Sequence, residues 1–226
     1  MIAKMSEGLG NTCAIFFLTL IISLPLGLVV ALLRGSKVKA VSAVARFLIS
    51  ILRGTPLMLQ LLAVTYGPYY IATAVNSLCS ANGWDFSLSI NVARDKLIPV
   101  VVAFAINYAA YFAEIYRSGL DSMPVGQYEA AKVLGYSRAQ TFLKIILPQV
   151  IKRFLPSMTN EIVTLVKDTS LAFTISVAEM FTQAKALASS QASVMPFVAA
   201  ALFYYVFNFL AAYLMELLEK KLDYYR

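Results

Sequence analysis

The chain has 226 residues, 60% of them hydrophobic and 14% charged, with a formal charge of +7 and no His. Soluble domains run at about 45–50% apolar and about 25% charged, so this composition excludes a soluble fold; at about 20 residues per crossing it leaves room for about four to seven helical spans and none for a soluble catalytic domain. The missing His excludes imidazole metal sites, His-based acid–base catalysis and His pH switches, and the basic excess is what the cytoplasmic loops of a membrane protein supply, with no nucleic-acid partner implied.

The first element is an uncharged stretch over 8–33, too long for the core of a cleavable signal peptide and without a basic leader or a small-residue cleavage site. It predicts a retained span over 9–33, closed by Arg34, Gly35 and Lys37 as a helix C-terminus should be. Over 38–52, Val41, Val44, Ala45, Leu48, Ile49 and Leu52 share one face while Lys39, Ser42 and Arg46 lie elsewhere. That pattern fits an amphipathic interfacial helix, or else a plain basic linker. In Arg53-Gly54-Thr55-Pro56, Thr55 is expected to cap a helix whose first position is Pro56, opening a second span over 55–77. Residues 76–96, with Gly83, Trp84 and Asp85, read as an extracellular loop. A third span over 97–117 requires Glu114 at the bilayer boundary, a fourth over 150–168 requires Glu161 to be tolerated inside it, and a fifth runs over 194–217. Cys13 and Cys79 fit small buried or interfacial residues rather than a disulfide or metal site, and no internal repeat is visible.

Five spans divide the 19 Lys and Arg unevenly. Arg34 to Arg53 contribute five, Arg117 to Arg153 six and the C-terminal tail three on one side, against Lys4, Arg94, Lys96, Lys167 and Lys185 on the other. The positive-inside rule then predicts an outside N-terminus and a cytoplasmic C-terminus.

The connection over 118–148 is long for a loop that only joins two spans. Its centre predicts a short helix: Pro124 and Gly126 punctuate the entry, 127–134 propagate, and Gly135 supplies a left-handed C-cap. So short a helix is marginal alone in water, and the small pair Ala130 and Ala131 would let a docking partner come close. Either a lever against a cytoplasmic protein or an ordinary surface helix is consistent with this pattern.

Polar residues inside spans mark a path. Asn107, Tyr111 and Glu114 fall on one face of the third span; Glu161, Thr164 and Asp168 form a stripe on the fourth, with Asn160 and Lys167 beside it; Tyr204 and Asn208 do the same on the fifth, and Gln60 adds an amide to the second. Each Asn or Thr has a plain alternative as an interhelical hydrogen bond. Glu114 and Glu161 should each be protonated or meet a cation, and Lys167 with Asp168 suits a local ion pair. A zwitterion's ammonium could meet one glutamate, and a basic side chain the other.

Glu129-Ala130-Ala131, three residues, Gly135, nine residues, then Ile145-Ile146-Leu147-Pro148 resembles the E-A-A-x3-G-x9-I-x-L-P loop of membrane subunits of binding-protein-dependent ABC importers. Gly8-Leu9-Gly10-Asn11-Thr12, the 53–60 run beginning Arg53-Gly54-Thr55-Pro56, Ala113-Glu114-Ile115-Tyr116-Arg117 and Lys167-Asp168-Thr169-Ser170-Leu171 narrow the likeness to polar amino-acid permeases. The resemblance implies an all-α membrane protein: a single permease domain over 1–226 with about five transmembrane helices and a cytoplasmic coupling helix, in the type I ABC importer architecture. It also implies a second permease chain, identical or a sister, two ABC ATPase subunits, an extracellular or periplasmic solute-binding protein, an amino-acid substrate and surrounding lipid, in the cytoplasmic membrane of a prokaryote. In that scheme Gln127, Glu129, Ala130, Ala131 and Gly135 couple to the ATPase. No G-x4-G-K-[ST] run occurs, so ATP and Mg would belong to the partner, and no catalytic residues or metal site are expected. Of the cargoes, arginine, lysine or histidine fit the carboxylates best, with glutamine or another polar amino acid next. An ATP-independent secondary transporter or a scaffold subunit would be the readings from other classes.

Overall fold

The computed structural model describes residues 2–90 and 96–222. Arg94 and Arg226, counted in the charge asymmetry, and part of the 76–96 loop lie outside the described residues. Helix α4 (Leu97–Asp121) is the buried centre, with Val100, Phe104, Tyr108 and Phe112 inside the main core. Its small residues Ala103, Ala109, Ala110 and Ala113 let neighbours come close, as membrane packing requires where lipid offers no hydrophobic drive between helices.

Helix α1 (Ile2–Arg34) runs the length of α4. At Gly27 a Cβ would stand 2.8 Å from Cβ of Phe112 and 3.0 Å from the Ala109 carbonyl oxygen, so the two backbones meet where only glycine fits. The expected amphipathic helix is present as α2 (Lys39–Gly54), but it is not a free interfacial helix. It packs on α1 and α4, burying Ala45 and Ile49, and its C-terminal Leu52 carbonyl accepts from Asn107, midway along α4.

Helix α3 (Leu57–Ala81) leaves α2 at a bend of 109°. Thr55 does not cap it: its hydroxyl donates back to the Ile51 carbonyl (2.9 Å), because the Gln60 amide occupies its other side and donates to Leu52, to the Thr55 carbonyl and to the Thr55 hydroxyl. Pro56 stands at the cap position instead of the first helical one, and the break is held by side-chain amides.

After α4 come α5 (Val125–Val133), a single turn α6 (Arg138–Gln140) and a π turn over Thr141–Ile146 that runs into α7 (Leu147–Asp168). The π turn bonds Leu147 N–H to the Phe142 carbonyl directly ahead of Pro148, whose ring could not follow a regular α register. A 3₁₀ stretch, Thr169–Ile175, leads to α8 (Met180–Gln191), and α9 (Met195–Lys221) closes the chain. Glu179 caps α8 through Phe181 and Thr182 and accepts the Tyr204 hydroxyl at 3.0 Å. Asn11 and Thr12 of α1 hold the same corner, bonding Ala178 and Met180.

Among the described residues three helices are long and apolar enough to cross a membrane, α1 from Met5, α4 and α9, with the bent α2–α3 pair making a fourth. Cys79 is buried and Cys13 partly so, and both are free.

Candidate functional site

Where the α2–α3 break faces α4 and α7, a cavity of about 230 Å³ opens, lined by Thr55 and Leu57 from the break, Asn107, Tyr108 and Tyr111 from α4, and Glu161, Thr164 and Asp168 from α7. Five of the residues expected on a path therefore meet in one place. The periodicities explain it: Asn107 and Tyr111 are one turn apart on α4, and Glu161, Thr164 and Asp168 lie along one stripe of α7. Tyr108 donates to Asp168 Oδ2 at 2.7 Å. Glu161 has no hydrogen-bond or ion-pair partner among the described residues, although the Arg53 charge acts on it from a distance. The chamber is acidic, with two carboxylates and no basic side chain in its lining.

A second chamber of about 530 Å³ adjoins it across Tyr111, walled by Arg34, Arg46, Ile49, Ser50, Arg53, Gly54 and Glu114. Its charge is opposite in sign. Arg34, the last residue of α1, pairs with Glu114 Oε1, and Arg53 stands 3.8 Å from Glu114 Oε2. The Arg53 guanidinium also lies over the Tyr111 ring, 5.1 Å from its centroid, and so forms part of the partition between the chambers. Glu114 is therefore not an unmet carboxylate waiting for substrate: two arginines already answer it.

The remaining expected path residues lie elsewhere. Gln60 accepts from Asn107 (3.0 Å) and braces the α2–α3 break rather than facing the cavity. Asn160 and Lys167 are exposed, and the described residues contain no Lys167–Asp168 ion pair. On α9, Tyr204 serves Glu179, while the buried Oδ1 of Asn208 has no partner and lies outside both chambers. Helix α9 thus adds no residue to either lining, against the expectation of four contributing spans. Tyr108, Arg34 and Arg53 were missed as site residues. Tyr108 could have been found from its place on α4 one residue from Asn107; the arginines pair with a residue 61 or more positions away and leave no local signal.

At the other end of α4 and α7, α5 closes in a Schellman motif. Tyr136 N–H reaches the Ala131 carbonyl and Gly135 N–H the Lys132 carbonyl, with Gly135 at φ +78° as expected of a left-handed cap. Gln127 accepts from Gln149 at 3.3 Å and ties α5 to the start of α7. Glu129 and Ala130 are exposed, but Ala131 is buried, with α5 packed on the π turn. The expectation that both alanines face a partner is corrected here: Ala131 seats α5 on its own chain. Val125, Val133 and Leu134 are exposed at 69%, 89% and 72%, the most exposed of the large apolar side chains on this loop.

Residues 12–224 match the model of the binding-protein-dependent transport system inner membrane component family. The chain is 39% identical over 207 residues to the octopine transport system permease protein OccM of Rhizobium radiobacter, covering 91% of this chain and 80% of that one. It is 32% identical over 223 residues to the L-cystine transport system permease protein TcyB of Bacillus subtilis (strain 168), covering 98% and 87%. A crystal structure of an amino acid ABC transporter with histidines superposes with a TM-score of 0.79 at 30% identity, over 97% of this chain and 94% of that one.

Proposed function

We propose, from the premise that this chain belongs to the binding-protein-dependent transport system inner membrane component family, that the acidic chamber between α3, α4 and α7 is where it carries an amino acid with a cationic side chain. The chain is an ABC amino-acid importer permease, and the permease component is not itself catalytic. The observation that carries the finer reading is the pairing pattern. Arg34 and Arg53 satisfy Glu114, which leaves Glu161 and Asp168 as the carboxylates of the chamber. One suits the α-ammonium of an amino acid and the other a side-chain ammonium or guanidinium. The cargoes named for the matched relatives, octopine and L-cystine, differ from each other, so the chamber's own charge decides the reading.

In this reading α7, whose charges keep it below the apolarity of the other spans, is the fourth of five crossings, with Glu161 and Asp168 turned into the chamber rather than to lipid. The N-terminus lies outside and the C-terminus in the cytoplasm. Helix α5, seated by Ala131 and Gln127, offers Val125, Val133 and Leu134 to one of two ATPase subunits that bind ATP and Mg, and a second permease chain and a solute-binding protein complete the importer.

Uptake into proteoliposomes holding the assembled importer tests the cargo. Glu161→Gln and Asp168→Asn should each lower arginine, lysine or histidine uptake while assembly and basal ATP hydrolysis persist. Unchanged uptake in both variants removes these carboxylates from the site, and uptake only of glutamine or another neutral amino acid removes the cationic side chain. Single cysteines at 85 and 138 test orientation, the first being labelled from outside and the second only after permeabilisation.

A further inference from the structure

The second chamber is more basic than its ion pairs require. Three guanidiniums, from Arg34, Arg46 and Arg53, face one carboxylate, Glu114. Arg34 and Arg53 share that carboxylate, whereas Arg46 has no acidic partner among the described residues; its Nε reaches only the Ser42 carbonyl of its own helix, at 3.3 Å. Ser50, one turn further along α2, adds a hydroxyl to the same wall. Two unmatched positive charges beside a serine form a site for a doubly coordinated oxyanion.

The surroundings say which oxyanion. Helix α2 carries two stripes: Arg46, Ile49, Ser50 and Arg53 face the chamber, and Val44, Phe47, Leu48 and Ile51, on the opposite side, are exposed at 58%, 65%, 52% and 43%. On α1, Val29, Leu32 and Leu33 are likewise exposed just before Arg34. The basic chamber thus lies at the end of α1 and beside α2, two helices of a membrane-spanning chain that carry exposed apolar residues on their other faces, so it stands at the level where acyl chains end and headgroups begin. Lys37, in the turn between the helices, and Lys39, the first residue of α2, add to the same local field.

The geometry points to a binding site for the phosphate group of an anionic phospholipid, held by Arg46, Arg53 and Ser50 with Arg34 behind them. On the orientation proposed above, the lipid belongs to the cytoplasmic leaflet. Because Arg53 also covers Tyr111, a lipid bound here would reinforce the partition between the two chambers from the inner side. The site is defined by charge and shape on this chain alone, so it stands or falls separately from the choice of cargo.

Native mass spectrometry of the purified full chain, titrated with phosphatidylglycerol or with phosphatidylcholine, tests the site. Phosphatidylglycerol should be retained at a defined stoichiometry and phosphatidylcholine stripped. Arg46→Gln should weaken phosphatidylglycerol binding about fivefold, the effect of one basic side chain near a phosphate, while Arg46→Lys keeps most of it and Lys37→Gln, outside the chamber, changes it little. Equal retention of both lipids, or an Arg46→Gln variant that binds like the wild type, would overturn the assignment. A Lys37→Gln loss as large as that of Arg46→Gln would replace it with diffuse surface charge. Displacement of the lipid by inorganic phosphate at comparable concentration would make the site one for a free anion instead.

Discussion

The Tyr108 hydroxyl and the Asp168 carboxylate, on different helices and 60 residues apart, meet at 2.7 Å in the wall of the acidic chamber. The bond fixes the end of α7 against the buried centre of α4, since Tyr108 is only 2% exposed and has no other place to turn. Tyr108→Phe keeps the packed ring and removes only the donor. A buried bond to a charged group is worth about 1.5–3 kcal/mol, so the variant should show a lower thermal midpoint and reduced uptake with normal membrane insertion. A midpoint and uptake equal to the wild type would show the bond to be idle.

Glu114 and Arg34 should behave as a unit. Glu114→Gln strands Arg34 and Arg53, and Arg34→Gln strands part of Glu114, so each should cost about 1–3 kcal/mol in a half-buried setting. The double variant should cost less than the sum by about 1 kcal/mol, measured by thermal unfolding in detergent. Strict additivity would mean the two do not interact. Cargo preference should stay the same in Glu114→Gln, in contrast to Glu161→Gln.

Gly135 sits at φ +78°, where a side chain is strained by about 1–2 kcal/mol per residue. Gly135→Val should loosen the Schellman motif and misdirect Val133 and Leu134. ATP hydrolysis by the assembled importer should then cease to respond to the loaded binding protein, with the chain still inserted. Normal stimulation would remove α5 from the coupling route.

Gly27→Val sets a branched side chain where a single Cβ already falls 2.8 Å from Phe112 and 3.0 Å from a backbone oxygen. The expected result is loss of folded protein from the membrane fraction, whereas Gly10→Val, at a position with open space, should be recovered at the normal level. Equal recovery of both would show that α1 can shift away.

Much of this was written locally in the chain. The uncharged run before Arg34, the Gly135 cap and the stripes of α4 and α7 follow from composition and the 3.6-residue period, and the structure has them where that period puts them. What could not be read is which stripe faces which. Glu114 shares a face with Asn107 and Tyr111, yet α1 and α2 deliver two arginines to it, and that choice is made by tertiary packing. Likewise Thr55 has the chemistry of an N-cap, but the Gln60 amide, five residues on, donates to its hydroxyl while that hydroxyl turns back to the Ile51 carbonyl. Ala131 looked available because small residues suit docking surfaces; the same smallness lets it sit against the π turn.

The contact at Gly27 also limits how the molecule can move. Two helices joined backbone to backbone have no side-chain rotamers to exchange between them, so they cannot creep past each other in small steps. Helices α1 and α4 therefore act as one fixed post. Changes of access to the acidic chamber must be borne by its other walls, the jointed α2–α3 break and α7, whose far end is the very segment that holds α5. On the coupling role proposed for α5, force applied there would run through the Gln127–Gln149 bond and along α7 to Glu161 and Asp168, with the post as the stationary surface.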